Sequence, residues 1–220
     1  MIRRNLAVRT HMAGMEPIDL ALCLAVDVSA SVDFDEFALM LGGLAGAFRQ
    51  ADVQAACVAG PRGAIGVCLL LWSGPGAREV AVPWTRLDSP ATADALAEAI
   101  EMAPRLPPPG ATAIGDGMAA GLALLATAPG GPTRLTLDVS GDGRHNTGRA
   151  PGPVRDLGVA AGVTLNGLAV LNEEPDLLDH YVSEVIGGPG SFAMVCADYA
   201  DFADAMRQKL LREIGGALIA

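Results

Sequence analysis

Apolar runs of strand length alternate with helical periodicities along most of the chain. Residues 18–26 are almost entirely apolar, and residues 64–72 form a similar run. Runs of this kind, bounded by polar residues or glycine, are typical of strands buried on both faces of a parallel sheet. Between residues 34 and 48, apolar side chains recur at helical spacing and predict an amphipathic helix. The chain therefore begins with a strand–helix–strand pattern.

The same alternation continues to the end of the sequence. Residues 78–84 alternate between polar and apolar and contain Pro83, which predicts a short edge strand. We expect an α/β fold of the Rossmann-like, doubly wound class, with a mostly parallel central sheet, one short antiparallel edge strand and helices on both faces. The other predicted strands are 133–140, 164–171 and 192–196, and the other predicted helices are 89–102, 119–128, 153–161, 177–186 and 199–214.

Composition and charge narrow the classes of partner. The chain has 220 residues, which suits one α/β domain with a full core, and 51% of them are hydrophobic, which excludes intrinsic disorder of the whole chain. The net charge of −10 would repel a polyphosphate backbone or an anionic membrane. No apolar run is long enough to cross a bilayer. We therefore expect neither nucleic-acid binding nor membrane insertion.

Residues 1–15 differ from the rest of the chain because they carry arginines and no apolar stretch of signal-peptide length. We interpret them as a tail that is either disordered or upstream of the true start, and expect the domain to span residues 16–218. As it stands, the sequence predicts a cytoplasmic protein, whereas a misassigned start would allow a periplasmic or secreted one. The cysteines form no C-x-x-C pair, so we expect neither a zinc site nor disulfides. They are Cys23, Cys57, Cys68 and Cys196.

The first predicted strand ends in a short run of oxygen-bearing side chains. Asp27, Ser29 and Ser31 follow one another at every second position. In open α/β sheets, ligands bind beyond the carboxyl ends of the strands, and oxygen donors suit a hard cation such as Mg²⁺. The simpler interpretation is that Asp27 only ends the strand and that a serine caps the next helix.

Two later loops carry further oxygen donors in a similar context. Thr112 precedes a predicted helix, and Asp142 follows the predicted strand 133–140 within a Gly-Asp-Gly turn. The order and spacing of these residues resemble the metal-ion-dependent adhesion site of von Willebrand factor A domains, and the resemblance covers about residues 16–218. Three shorter runs, 138–143, 164–168 and 185–190, resemble a bacterial family of such domains known only as a domain of unknown function.

The resemblance implies a function as well as a fold. It implies that hydroxyl oxygens of Ser29, Ser31 and Thr112 would bind Mg²⁺ or Mn²⁺ directly, and that Asp27 and Asp142 would hold the ion mainly through bound waters. An open coordination position would then accept an Asp or Glu carboxylate from a partner protein. On this basis we expect a divalent-cation-dependent protein-binding module that performs no catalysis.

Three further polar residues lie near these motifs. Asp116 is either a source of supporting hydrogen bonds or an ordinary acid in the first turn of a helix. Asp138, inside a strand, is expected to be a structural carboxylate with partners. His145 lies in a glycine-rich loop and is expected to be solvated.

Two other functions remain open. A serine-type or metal-dependent hydrolase would use Ser29 or Ser31 with His145 and Asp142, although the sequence has no G-x-S-x-G elbow. A vestigial scaffold would keep the fold and bind its partners elsewhere. A phosphotransferase of the haloacid-dehalogenase type and a P-loop nucleotidase would each need a lysine at the phosphate, but the sole lysine, Lys209, lies in the last predicted helix.

Overall fold

One central sheet organises the residues that the structure describes. The structure is a computed structural model, and it describes residues 15–172 and 174–216. In this part of the chain, six strands lie in the order β3-β2-β1-β4-β5-β6, all parallel to their neighbours except β3, which is antiparallel to β2. The predicted fold class is confirmed. The strands are β1 (Leu20–Asp27), β2 (Ile65–Trp72), β3 (Arg78–Leu87), β4 (Arg134–Gly141), β5 (Val163–Val170) and β6 (Ala193–Cys196).

Helices cover both faces of the sheet. On one face, α1, α2, α3 and α7 enclose an apolar core, and on the other face α4, α5 and α6 enclose a second one. A π-helical turn, Tyr181–Val185, continues α6. The helices are α1 (Phe34–Phe48), α2 (Ala51–Cys57), α3 (Pro90–Glu101), α4 (Ile114–Leu125), α5 (Pro151–Ala160), α6 (Leu177–His180) and α7 (Phe202–Gly215).

Strand β1 lies at the centre of the sheet, and its sequence shows why. Every residue of β1 is buried, because Leu20, Leu22 and Leu24 face one core while Ala21 and Cys23 face the other. Its neighbours β2 and β4 leave it no exposed edge. The nearly uninterrupted apolar run therefore has to end at the carboxyl edge of the sheet, where the chain reaches Asp27.

Several elements differ in extent from their predictions. The edge strand β3 continues to Leu87, and Pro83 lies where its pairing with β2 shifts register. Pro83 is tolerated because an edge strand with a bulge does not need every N–H. Helix α2 was not predicted, because it is short and buries only Val53 and Cys57.

Three further predictions concern the N-terminal tail, the state of the cysteines and the absence of a membrane-spanning segment. Residues 1–14 of the predicted tail lie outside the described residues. All four cysteines are buried free thiols. Among the described residues, no helix has both the length and the apolarity needed to cross a membrane.

A buried ion cluster joins α7 to the sheet. Lys209 Nζ lies 2.7 Å from Asp138 Oδ1 on β4 and 2.5 Å from Glu213 Oε1 one turn further along α7. Asn166 on β5 donates to Glu213 Oε1 at 2.9 Å. Burial raises the pKa of Glu213 to about 7. The prediction that Asp138 is a buried carboxylate with partners is confirmed.

Removing the lysine should destabilise the fold strongly. Lys209→Met leaves two buried acids without their cation, so we expect the free energy of unfolding to fall by about 3–5 kcal/mol in urea titrations. The matched control is Arg207→Met on the same helix. This variant removes the ion pair between Arg207 and the exposed Asp52. For that variant we expect a much smaller loss, because exposed ion pairs contribute little to stability. Similar losses in both variants would contradict a special role for the buried cluster.

Candidate metal centre

Three loops meet at the carboxyl edge of the sheet. The β1–α1 loop provides Asp27, Ser29 and Ser31, and the loop after β4 provides Asp142. Because β1 and β4 are paired in register as far as Val26 and Ser140, their carboxyl ends lie side by side. Helix α4 packs against β1 and brings Thr112, just before its first turn, to the same place.

Hydrogen bonds link the five predicted ligands to one another. The Ser29 and Ser31 hydroxyl oxygens share a bond of 3.1 Å, and the Ser31 hydroxyl donates to Asp142 Oδ1 at 2.7 Å. The Thr112 hydroxyl donates to Ser29 Oγ over 3.4 Å, and the Ser29 backbone N–H donates to Asp27 Oδ1 at 2.8 Å. The structure thus brings all five predicted side chains together in one cluster.

The two carboxylates of this cluster are removed from water. Asp27 and Asp142 are both 0% exposed. Among the described residues, Asp27 Oδ2 has no hydrogen-bond partner. Burial, followed by the neighbouring charge of Asp142, raises the pKa of Asp27 to about 7, although hydrogen bonds from Ser29 act in the opposite direction. A bound cation would offset this unfavourable burial of charge, so the side chains present fit a metal ion.

A small open cavity lies above the donors. Its volume is about 220 Å³, and Ser31, Thr112 and Gly143 form part of its wall. A Cβ atom added to Gly143 would lie 3.5 Å from Thr112 Oγ1 and 3.9 Å from Ser31 Oγ. The glycine therefore leaves space beside the hydroxyls, where a larger residue would place its side chain against them.

The rim of the cavity is charged on one side. Arg144 Nε lies 3.0 Å from Glu174 Oε2, and an Arg144 Nη atom lies 2.6 Å from Asp176 Oδ2. The backbone N–H of Arg144 also donates to Glu174 Oε1 at 3.1 Å. These contacts connect the loop after β4 to the loop after β5.

The remaining predicted residues occupy supporting or peripheral positions. Asp116 lies in the first turn of α4, where its carboxylate accepts a hydrogen bond from the backbone N–H of Arg149 at 2.9 Å, so it supports the loop that follows Asp142.

His145 is half-buried, and its backbone N–H donates to His180 Nε2 at 3.3 Å. Among the described residues, no hydrogen bond joins His145 to Ser29 or Ser31. The geometry therefore lacks the serine–histidine contact that the alternative hydrolase function needs.

The sequence did not indicate three residues that surround the cluster. Asn146 contacts the backbone of Thr112. A Cβ atom on Gly141 would lie 3.1 Å from Asp27 Oδ2 and 3.1 Å from the Tyr181 hydroxyl, so both groups lie close to Gly141. Burial, followed by the charge of Asp142, raises the pKa of Tyr199 well above its ordinary value. Tyr181 and Tyr199 are the two tyrosines of the sequence. Their positions have no regular spacing relative to the metal-site motifs, so no pattern in the sequence indicated them.

The donor set is rich in hydroxyls. It combines two carboxylates with three hydroxyl groups, and within the described ranges no cluster of three or more His, Cys, Asp or Glu side chains has a metal-binding arrangement. Hard, oxygen-preferring cations such as Mg²⁺ and Mn²⁺ suit this chemistry better than softer metals do.

Solved structures with the same fold come from several von Willebrand factor A proteins. A von Willebrand factor type A protein from Catenulispora acidiphila matches 90% of this chain with a TM-score of 0.61 and 17% identity, over 43% of its own length. The pilus adhesin SpaC from Lactobacillus rhamnosus GG matches 91% with a TM-score of 0.64 and 13% identity, over 31% of its length. Proximal thread matrix protein 1 from the mussel byssus, in a structure with a zinc-occupied MIDAS motif, matches 89% with a TM-score of 0.60 and 15% identity, over 47% of its length.

The chain therefore has the α/β fold of von Willebrand factor A domains. Residues 17–218 match the family described as "Protein of unknown function (DUF1194)", and the chain belongs to that family. The chain spans less than half the length of each of the three solved relatives. A comparison with curated proteins gives no match.

The raised pKa of Asp27 predicts that the metal-free protein loses stability as the pH rises. The folded state retains the Asp27 proton up to about pH 7, whereas the unfolded chain releases it near the ordinary value of 3.8. This contribution to stability is complete below the ordinary pKa and is lost as the pH rises through 7. In EDTA, between pH 5 and pH 8, wild type should lose about 3 kcal/mol more of its free energy of unfolding than Asp27→Asn.

Glu213 titrates in the same range in both proteins, so its contribution cancels in the difference between them. The measurement is urea unfolding at several pH values. Parallel curves for wild type and Asp27→Asn would show that the Asp27 carboxyl does not hold its proton in the folded state.

Proposed function

We propose that this domain binds Mg²⁺ or Mn²⁺ and uses the ion to capture an Asp or Glu side chain of a partner protein. The observation that supports this most directly is the convergence of five oxygen-bearing side chains from three loops beneath an open cavity. The residues that would hold the ion are Asp27, Ser29, Ser31, Thr112 and Asp142.

The charge balance of the site favours an acidic partner. Two carboxylates would roughly neutralise a divalent ion, and hydroxyl oxygens donate too weakly to quench its Lewis acidity. When bound, the ion would supply an electrophilic position at which a carboxylate from outside can coordinate. A neutral partner side chain would gain much less from this position, because charge-assisted contacts are the stronger ones.

The structural relatives agree with this proposal. One of them is a pilus adhesin, and another has a zinc-occupied MIDAS motif. We extend both features to this chain only as part of the proposal, together with a binding role without catalysis and a single domain over residues 16–218.

Metal binding should stabilise the folded protein. At Mg²⁺ or Mn²⁺ concentrations about 100-fold above the dissociation constant, we expect a gain of about 2.7 kcal/mol, seen as a higher melting temperature in thermal scans. Asp27→Ala should abolish this gain. The matched control is Asp35→Ala, which removes an exposed acid from the first turn of α1 and should leave the gain intact. If the metal raised the melting temperature of both variants equally, the metal would bind at another site.

Partner capture should depend on the ion and on the open cavity. We expect the immobilised protein to retain a partner from an extract of the source cells in Mg²⁺, and to release it when EDTA is added. Gly143→Val should bind less partner, because its side chain would lie against Thr112 and Ser31. Retention that is unaffected by EDTA and by Gly143→Val would instead support the vestigial-scaffold alternative.

A further inference from the structure

We propose that Asn146 is the positioning residue for Thr112, and that its side-chain amide decides whether the Thr112 hydroxyl reaches the metal ion. This inference rests on the proposed metal-binding function and adds to it a residue that does not itself bind the ion. Thr112 is flanked by Ala111 and Ala113, so its loop offers the ion no other side-chain oxygen at this point. The placement of the Thr112 backbone therefore determines whether five side chains or four can hold the ion.

Asn146 contacts both backbone polar groups of Thr112. The N–H of Thr112 donates to Asn146 Oδ1 at 2.9 Å, and the backbone N–H of Asn146 donates to the carbonyl of Thr112 at 3.1 Å. The first bond also fixes the orientation of the side-chain amide, because only its oxygen can accept from an N–H. Thr112 is thus held through its main chain by a residue of the loop that carries Asp142.

The side chain of Thr112 is held much less firmly. Its hydroxyl makes one hydrogen bond among the described residues, to Ser29 Oγ, and this bond is 3.4 Å long. A bond of that length is weak, so it contributes little to fixing the hydroxyl. The position of Thr112 Oγ1 consequently depends on the backbone contacts with Asn146.

The residues on either side of Thr112 are held independently of Asn146. The N–H of Ala30 donates to the carbonyl of Gly110 at 2.8 Å, and the N–H of Ala113 donates to the carbonyl of Ser73 at 3.1 Å. Loss of the Asn146 side chain should therefore remove the acceptor of the Thr112 N–H, and with it that constraint on Thr112, while the Asn146 backbone N–H and the neighbouring bonds keep the loop as a whole in place. This separation makes the effect on metal binding distinguishable from unfolding.

The loop that carries Asn146 is itself anchored. The N–H of Arg149 donates to Asp116 Oδ2 on α4 at 2.9 Å. Gly148 has a φ of +78°, and a Cβ atom there would lie 2.2 Å from Asp116 Oδ2. This close approach holds the loop against the start of α4, so the backbone around Asn146 has a fixed position.

The test compares Asn146→Ala with Thr112→Ala and with the double variant, by calorimetric titration of Mg²⁺ and Mn²⁺. Residues that orient a metal ligand typically contribute about 10–100-fold in affinity, and we expect a loss in that range for Asn146→Ala. In the Thr112→Ala background, adding Asn146→Ala should weaken binding no further, because the hydroxyl that it positions is already absent. The melting temperature in EDTA should be nearly unchanged by Asn146→Ala.

Two controls separate the contact from general effects of the substitution. Asn172→Ala removes another exposed asparagine at the same edge of the sheet, whose side chain donates to Glu36 rather than to a proposed ligand, and it should retain wild-type affinity. Asn146→Asp keeps an acceptor for the Thr112 N–H and should restore most of the affinity that Asn146→Ala loses. Asn172→Asp, which adds the same charge nearby, measures how much of that recovery is purely electrostatic.

The outcomes distinguish this inference from the proposed function. If wild type binds neither Mg²⁺ nor Mn²⁺, the proposed function is overturned and the inference with it. If wild type binds but Asn146→Ala binds equally well, only the role of Asn146 is overturned. Additive losses in the double variant would likewise show that Asn146 does not act through Thr112. Faster hydrogen exchange of the Thr112 amide in metal-free Asn146→Ala is the result expected if the backbone contact is lost.

Discussion

A buried carboxylate without a counterion dominates the carboxyl edge of the sheet. Asp27 ends the central strand, is fully buried, and lies next to a second buried carboxylate, Asp142. The N–H of Ser29 satisfies one oxygen of Asp27, and none of the salt bridges among the described residues involves Asp27. Burying two neighbouring carboxylates is unfavourable unless a proton or a cation compensates their charge, and this supports the proposed metal site.

Two buried carboxylates, one in β4 and one just after it, have different surroundings. Thr136, Asp138 and Ser140 of β4, and Asp142 just after it, alternate with apolar residues or glycine and are all buried. Asp138 receives a permanent counterion from Lys209 on α7. Asp142, which follows β4 in the same alternating row, accepts a hydrogen bond from the Ser31 hydroxyl. The first carboxylate therefore contributes to the stability of the fold, whereas the second belongs to the proposed metal site.

Close approach of three loops is the second requirement of the site, and small residues allow it. A Cβ atom on Gly115 would lie 2.0 Å from the carbonyl oxygen of Arg149, so the loop after β4 could not otherwise rest on α4. Gly143 keeps the cavity open above the hydroxyls. The glycines near Asp142 thus serve packing and access, and the oxygen-bearing residues between them supply the chemistry.

The amino-acid sequence by itself determined the fold class, the order of most elements and the five converging side chains. Short uninterrupted apolar runs that alternate with helical patterns are typical of buried parallel strands, and polar residues directly after such strands lie at one edge of the sheet. The tertiary structure alone decided the roles of Asn146, Tyr181, Tyr199 and Lys209, because each of them contacts residues distant in sequence. It also decided the extent of β3 and the existence of α2. Hydrogen bonds and ion pairs depend on distances of a few ångströms between separate elements, and local patterns of hydrophobicity carry no information about those distances.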